Sequence, residues 1–296
     1  MLERYVIHTT KICNMNCTYC YEQDKTSTYT WDEIKGVLDG IVANSVEKKC
    51  SIEFLGGEPL IGFSHIKDTV AYMDAQEDFE VDHYMITTNG TIFNDDIYQW
   101  LKDNPKVFVT ISIDGGRVAN MLRIYKTTEK ATLEDVVKTS KFLLEAFGPR
   151  RIFAHMVTHP WNVYLVAKSI QYIYDVGFRD ITIGIIESTG DITQEYADRL
   201  IQEMHKVSNL VKKGEYPDLV IDMFDNFRKE AAGKKYIKDP ETGKVLAETY
   251  SRSEHDLTHV TSDDYTVVQT DSPRREVIYQ LREQVYINHQ HNLKEV

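Results

Sequence analysis

The sequence predicts an α/β fold in which parallel strands alternate with helices, and three observations support this prediction. Short β-rich runs recur along roughly the first 190 residues, and segments with helical periodicity separate them. Strands separated by helices of this length pair in parallel through right-handed crossovers. Polar motifs follow four of the strands, and in a parallel sheet or barrel the chemistry lies at the carboxyl ends of the strands.

Six strands and five helices are expected in alternation. The predicted strands are 4–10, 51–59, 81–90, 106–115, 151–159 and 180–187, and the predicted helices are 31–49, 64–76, 94–103, 132–147 and 162–176. Thr30 with Glu33, and Thr132 with Asp135, have the spacing of a capping box, so each pair is expected to start a helix.

The regular alternation of predicted strands and helices ends after residue 188. We expect helices over 193–213 and 219–232, a hairpin over 236–248 with its turn at 240–243, a polar stretch over 250–272, and a last helix entered through Pro273. We therefore expect the chain to divide into two parts. Residues 1–190 form the barrel, and residues 191–296 form an extension that covers the barrel mouth and contributes to substrate binding.

Charge and hydropathy exclude some classes of function. The 296 residues include 34 basic and 46 acidic side chains, a net charge of -12, so a general attraction to nucleic acid is absent. No apolar run reaches the length of a membrane helix, and the start, MLERYVIHTTK, lacks the apolar core of a signal peptide. The expected location is cytoplasmic.

Three of the four cysteines lie in CNMNCTYC, at Cys13, Cys17 and Cys20. Thiolates are soft ligands that suit zinc or an iron–sulfur cluster. Structural zinc needs a fourth ligand, for which His8 is the nearest candidate, and such sites usually have two spaced ligand pairs. A cubane cluster held by three cysteines leaves one iron open to a substrate or cofactor, so a cluster is favoured.

The motif C-x-x-x-C-x-x-C, with an aromatic residue before its last cysteine and with GGEP, TTNG and SIDG after it, resembles the radical S-adenosylmethionine (SAM) superfamily over roughly residues 4–190. CNMNCTYCYE and FLGGEPL are similar to the peptide-maturing branch that includes anaerobic sulfatase-maturing enzymes. The resemblance implies a partial (β/α)6 TIM-type barrel with a mainly helical C-terminal extension, one [4Fe-4S] cluster, and SAM cleaved to a 5′-deoxyadenosyl radical. An external electron donor such as flavodoxin or ferredoxin is also implied.

The resemblance assigns site residues one by one. Cys13, Cys17 and Cys20 would be the cluster ligands. Tyr19 would lie beside the adenine of SAM, and Gly56, Gly57 and Glu58 would contact the methionine amine. Asn89 and Ser112 would face the ribose and carboxylate, and Arg123 would pair with the cofactor carboxylate. Ordinary strand-end or surface roles are the alternatives for Asn89, Ser112 and Arg123, and Asp114 is open between a site role and a turn cap. No residue is assigned to the catalytic step on the substrate.

One departure from the branch shapes the expected function. Relatives carry further cysteines near the C-terminus for auxiliary clusters, whereas no cysteine follows Cys50 in this sequence. We therefore expect no auxiliary electron acceptor, and we expect hydrogen abstraction from a peptide or protein. The alternatives are the same chemistry on a small molecule (a nucleoside, sugar or amino acid) and a non-enzymatic iron–sulfur sensor or binding protein.

The remaining candidates are expected to be structural. Cys50 lies at the start of the second strand, far from GGEP, and is expected to be a buried thiol. His155 and His159 are expected to be packed or turn histidines near the end of the fifth strand. His255 and His259 have helical spacing without a helical context, so they are not expected to bind zinc.

Overall fold

Parallel strands and crossing helices make up the first part of the chain. The computed structural model describes residues 3–45, 47–186, 192–225, 234–238, 245–249, 266–270 and 273–294. The strands are β1 (Glu3–Thr10), β2 (Lys49–Gly56), β3 (Glu80–Thr88), β4 (Val107–Ser112), β5 (Ile152–Thr158) and β6 (Asp180–Ile185). The helices between them are α1 (Trp31–Asn44), α2 (Phe63–Asp74), α3 (Asp95–Asp103), α4 (Leu133–Phe147) and α5 (Val166–Val176). Each neighbouring strand pair is parallel, which confirms the predicted alternation.

Along these strands, successive side chains alternate between the apolar core and the opposite face of the sheet. Ile52, Phe54 and Ile183 are fully buried in the apolar core that the sheet shares with the crossing helices. The intervening side chains are often polar: Glu53 accepts a hydrogen bond from the Thr87 hydroxyl (2.7 Å). The helices therefore cover one face, and the other face is the polar inner side of an open, partial barrel.

The C-terminal part extends the sheet at both edges. Its elements are α6 (Gln194–Lys212), β7 (Val220–Ile221), α7 (Asp222–Asp225), β8 (Lys234–Lys238), β9 (Val245–Thr249), β10 (Thr266–Thr270) and α8 (Pro273–Lys294). In the described residues the strand order is β10-β8-β9-β1-β2-β3-β4-β5-β6-β7. β9 pairs antiparallel with β1, and β7 pairs parallel with β6. α8 packs against α6 and α7, and the Arg282 side chain donates to the Ile183 carbonyl (2.8 Å).

The hairpin strands and the last helix agree with the sequence, but the helix predicted over 219–232 is wrong at its start. Val220–Ile221 is a strand and Asp222–Asp225 is helical, so a helix does not begin at Leu219. Residues 226–233, the turn at 240–243, most of the polar stretch at 250–265, and His255 and His259 lie outside the described residues.

The two predicted capping boxes have different outcomes. At α1, the Glu33 N–H donates to the Thr30 hydroxyl and the Thr30 N–H donates to the Glu33 carboxylate, as predicted. At α4 the prediction is wrong because the Thr132 hydroxyl instead donates to the Arg123 carbonyl (3.0 Å) and makes no capping bond. Asp135 accepts a hydrogen bond from the Tyr125 hydroxyl (2.6 Å).

A helix that crosses a bilayer must be both long and apolar. None of the described helices combines the two properties to the extent that a membrane span requires.

Candidate active site at the carboxyl edge of the sheet

The cysteine loop follows β1 directly and lies at the carboxyl edge of the sheet. Cys13 is buried, whereas Cys17 and Cys20 are half-buried. All of the cysteines are free thiols, including Cys50. Among the described residues, no three His, Cys, Asp or Glu side chains are placed to hold a single metal ion.

A second loop holds the cysteine loop from one side. The N–H groups of Asn16 and Thr18 donate to the carbonyls of Ile124 (2.9 Å) and Leu122 (3.3 Å), and the Lys126 N–H donates to the Asn14 carbonyl (2.9 Å). This ladder uses the segment between β4 and α4. Sequence reasoning missed it, because an irregular segment with no strand pattern carries no signal of pairing.

The two glycines after β2 allow the cysteine loop to approach the sheet from the other side. The Gly57 N–H donates to the Thr10 carbonyl, and the Glu58 N–H to the Ile12 carbonyl, each at 2.9 Å. A Cβ atom at Gly56 would lie 2.0 Å from the Thr10 oxygen, and one at Gly57 would lie 2.3 Å from the Lys11 oxygen. Only glycine fits in either place, so this pair shapes the cysteine loop and is more than a turn.

Glu58 ties the ends of β2 and β3 together. Its fully buried carboxylate accepts hydrogen bonds from the Leu60 N–H (3.1 Å), the Thr88 hydroxyl (2.7 Å) and the Asn89 N–H (2.7 Å). Burial raises the pKa of Glu58 above its ordinary value, and these three hydrogen bonds oppose that rise.

Asn89 connects β3 to the cysteine loop. Its side-chain nitrogen donates to the Asn14 side-chain oxygen (2.9 Å) and lies 3.9 Å from the Cys13 sulfur. Its oxygen accepts hydrogen bonds from the Thr91 N–H (2.9 Å) and hydroxyl (2.6 Å). Both ends of the amide are therefore used to order the loop around Cys13.

A buried polar cluster joins the cysteine loop to the end of β4. The Tyr19 hydroxyl donates to Asp114 and accepts a hydrogen bond from the Arg123 guanidinium (2.8 Å). That guanidinium lies 4.0 Å from the Asp114 carboxylate, which also accepts the Val157 N–H (2.9 Å). Burial alone would lower the pKa of Arg123, but Tyr19, Asp114 and Cys17 raise it overall, so the guanidinium stays charged.

Several buried polar atoms around this cluster have no hydrogen-bond partner among the described residues. They are Asn120 Nδ2, Arg123 Nε, His159 Nε2 and Ser169 Oγ. The other end of the Asn120 amide accepts the Asp114 N–H (3.0 Å), and Ser169 packs against Gly115. Buried polar atoms are almost always paired in folded proteins. Their concentration beside Asp114 fits a polar ligand at this edge, and no sequence pattern pointed to Asn120 or Ser169.

Two histidines, one within β5 and one just after it, lie closer to this cluster than the sequence indicated. The His159 ring contacts the Tyr19 ring (centroids 5.1 Å apart), and its Nδ1 accepts the Trp161 N–H (3.1 Å). His155 is the register partner of Ser112 on β4, which places both at the same level of the sheet. Burial lowers the pKa of both histidines, while Asp114 opposes the shift.

Cys50 lies at the opposite edge of the sheet. It pairs in register with Glu3 and Val81 near the amino ends of β1 and β3 and is fully buried, as expected. Burial raises the pKa of its thiol to about 12. This thiol is structural.

Comparisons with known proteins agree with this geometry. The model of the Radical SAM superfamily matches residues 7–173, which is more than half of the chain. An uncharacterised protein of Methanocaldococcus jannaschii is 27% identical over 219 residues, 73% of each chain. The cysteine-type anaerobic sulfatase-maturating enzyme of Clostridium novyi is 29% identical over 143 residues, 44% of this chain and 37% of that enzyme. The GTP 3′,8-cyclase of Clostridium perfringens is 27% identical over 162 residues, 49% and 48% of the two chains.

A solved structure shares the fold. Native anSMEcpe with bound AdoMet superimposes with a TM-score of 0.63 at 18% identity, over 75% of this chain and 64% of that chain. The chain spans less than half the length of the two named enzymes matched by sequence. The resemblance to the peptide-maturing branch is confirmed by these relatives, and the family match settles the wider assignment. This chain belongs to the radical SAM superfamily.

Proposed function

We propose that this protein is an enzyme that reductively cleaves SAM and abstracts hydrogen from a peptide or protein substrate. The observation that carries the proposal is the position of three free thiols, Cys13, Cys17 and Cys20, on one loop beside buried polar atoms that have no partner among the described residues. Thiolates hold iron–sulfur clusters, and unpartnered buried donors fit a polar ligand. The proposed cofactors are one [4Fe-4S] cluster and SAM.

When bound, the cluster supplies the electron that breaks a carbon–sulfur bond of SAM and releases the 5′-deoxyadenosyl radical. The chain's own contribution is to hold the loop and to orient the cofactor. Arg123 suits the cofactor carboxylate best, because its Nε–H has no partner in the described part of the chain while Nη1 remains on the Tyr19 hydroxyl. The buried guanidinium stays charged beside Asp114, so it can bind an anion without first gaining a proton.

The other proposed SAM contacts are more constrained by the fold. Glu58 already accepts three hydrogen bonds, and a carboxylate offers about four lone-pair directions, so one remains for the methionine amine. The N–H groups of Gly57 and Glu58 donate to the cysteine loop, and the Glu58 carbonyl accepts the Ile61 N–H (3.1 Å), so we assign the carbonyls of Gly56 and Gly57 to the amine. Tyr19 at the adenine, Asn89 at the ribose and Ser112 at the carboxylate complete the proposed set.

A peptide or protein substrate is supported by the outer surface of this edge. Trp161 (75% exposed), Val118 (62%) and Met121 (60%) are large apolar side chains on the loops that follow β5 and β4. Exposed apolar side chains beside a site suit contact with another chain. The matched sulfatase-maturating enzyme also favours a protein substrate. Residues 191–296 are proposed to complete this surface at the barrel mouth.

A small-molecule substrate is the second candidate. The match to GTP 3′,8-cyclase, whose name specifies a nucleotide, favours it and covers a similar share of this chain as the match to the sulfatase-maturating enzyme. The non-enzymatic iron–sulfur sensor is not retained, because members of the radical SAM superfamily are enzymes.

The reaction type is tested with anaerobically reconstituted protein. We expect about four irons per chain, as a cubane requires, and 5′-deoxyadenosine by mass spectrometry when SAM and a reductant such as flavodoxin or ferredoxin are added. Arg123→Lys is the matched variant. It keeps the charge but loses the planar guanidinium, whose Nε and Nη1 donate in two directions, so weaker SAM binding with unchanged iron content is expected. Iron-loaded protein that yields no 5′-deoxyadenosine would contradict the proposal.

The substrate class is tested by isotope transfer. Peptides encoded beside the gene and nucleoside triphosphates are each supplied with deuterium in place of carbon-bound hydrogen. Deuterium in 5′-deoxyadenosine from a peptide alone supports the first candidate. Deuterium from a nucleotide alone supports the second candidate.

A further inference from the structure

Lys25 folds back onto the cysteine loop. Its ammonium nitrogen lies 3.3 Å from the Met15 carbonyl oxygen and 3.4 Å from the Asn16 side-chain oxygen, ten and nine residues earlier in the chain. A lysine on a polar loop usually keeps its charge in water, because the ammonium group is strongly hydrated. Here the half-buried side chain places that charge over the backbone between Cys13 and Cys17.

The charge on Lys25 has no acidic partner among the described residues. Lys11, another lysine close to this loop, pairs with Glu22 (3.5 Å), whereas no described ion pair includes Lys25. Its two partners are neutral oxygens, so its field is not cancelled by a contacting carboxylate.

A second cation lies near the same loop. The Arg123 guanidinium donates to the hydroxyl of Tyr19, the residue before Cys20 (2.8 Å). The loop is therefore flanked by two cations, one buried beside Asp114 and one reaching in from the segment after Cys20.

We propose that Lys25 raises the reduction potential of the cluster bound by Cys13, Cys17 and Cys20, and so makes its reduction by an external donor easier. The inference rests on the proposed function. One electron adds one negative charge to the site, and a cation held close by stabilises the reduced form more than the oxidised form. Net charge and hydrogen bonds around a cluster are among the factors that set its potential. Lys25 is thus a positioning residue for charge and has no contact with the substrate.

The test compares variants of the reconstituted protein by redox titration followed by electron paramagnetic resonance, without SAM. Lys25→Gln removes the charge and keeps a polar end, Lys25→Met removes both, and Lys25→Arg keeps the charge. Lys102→Gln, at the exposed end of α3, makes the same change in net charge far from the loop.

We expect Lys25→Gln and Lys25→Met to reduce the equilibrium constant for cluster reduction about tenfold, which is 59 mV for one electron. Lys25→Arg and Lys102→Gln are expected to stay within about threefold of the wild type, since one keeps the charge and the other changes a distant, screened charge. The inference is overturned if the neutral variants also stay within that range, or if Lys25→Arg falls as far as they do.

Iron content separates this inference from the proposed function. If the wild type binds no cubane, the function and the inference fail together. If all variants bind four irons and cleave SAM but share one potential, only the inference fails. If both neutral variants lose the cluster while Lys25→Arg retains it, Lys25 acts in cluster binding and the assignment to the potential is wrong.

Discussion

Cys13 and Cys50 lie near opposite edges of the same sheet, and they show how a buried thiol differs with its surroundings. Cys13 is 9% exposed, accepts the Met15 N–H (3.3 Å) and lies near the Asn89 amide. Cys50 is fully buried among the apolar side chains of the core. Burial is thus common to both, and polar partners distinguish them. A thiol within reach of N–H donors is suited to act as a ligand.

The edges differ in their charges as well. At the carboxyl edge, Asp114 and Arg123 are buried and share the Tyr19 hydroxyl. At the amino edge, Lys49 pairs with Glu80 (2.9 Å) where both side chains are largely in water. Removing one partner of a buried ion pair leaves an uncompensated charge and is strongly destabilising, whereas water and salt weaken the interaction between exposed charges. The carboxyl edge is therefore expected to be the more sensitive to substitution.

The largest expected effect comes from the thiols themselves. Alanine in place of Cys13, Cys17 or Cys20 should remove the cluster and reduce 5′-deoxyadenosine to the level without enzyme. Cys50→Ala should keep the iron and most of the activity, and should cost about 1 kcal/mol in the free energy of unfolding, because a small buried group is lost. Iron content, product yield and urea unfolding check this. Loss of the cluster in Cys50→Ala would contradict the contrast between the edges.

The next largest effect is expected at the buried charge pair. Asp114→Asn leaves the Arg123 guanidinium buried without a carboxylate, which should lower the free energy of unfolding by about 3–5 kcal/mol. Glu80→Gln, which breaks the exposed pair with Lys49, should cause no measurable change. Urea unfolding of both variants without cofactors gives the comparison. Similar values for the two would show that Arg123 is solvated in solution.

Glycine substitutions sharpen the contrast within the carboxyl edge. Gly57→Ala forces a methyl group onto the carbonyls of Lys11 and Ile12, at 2.3 and 2.4 Å, and should cost about 1–3 kcal/mol of unfolding free energy. Gly116→Ala meets only the Tyr172 ring at 3.5 Å, an ordinary contact, and should be close to neutral. If both are neutral, the cysteine loop does not press against β2 in solution. Weaker iron binding is expected for Gly57→Ala alone.

The smallest expected effect is a dependence on pH at His159. Burial holds its pKa below the ordinary value, so the unfolded chain binds a proton more readily than the folded chain. The stability that it contributes is complete above pH 6.5 and is lost as the pH falls toward its folded pKa. His159→Gln should therefore show a shallower loss of stability between about pH 7 and 5 than the wild type. Equal slopes in urea unfolding would place the ring in water.

Sequence reasoning predicted the fold where local patterns act without competition. Thr30 and Glu33 form the expected capping box, in which the backbone N–H of each residue donates to the side chain of the other. Thr132 and Asp135 have the same spacing but form no capping box. The Thr132 hydroxyl donates to the Arg123 carbonyl and Asp135 accepts the Tyr125 hydroxyl, and both partners lie on the preceding loop. A spacing rule contains no information about a partner that arrives through tertiary folding.

The candidate site was predictable to a similar degree. The motifs placed Cys13 and Gly57 at one edge because parallel strands end together. They did not show that the glycines receive the cysteine loop, nor that residues 122–126 support it, since both depend on backbone contacts between distant segments. The role of Lys25 was also hidden, because a lysine after a cysteine motif looks like any solvated charge.

The pairing of β9 with β1 bears on the order in which this protein assembles. β1 leads directly into the cysteine loop, and its outer neighbour, Val245–Thr249, comes from a much later part of the chain. During synthesis one hydrogen-bonding edge of β1 therefore stays unpaired until that segment has left the ribosome. Contacts between such distant segments form late, because closing a long loop is entropically costly. We expect this edge to be the last part of the sheet to close, after the strands from β1 to β6 have paired.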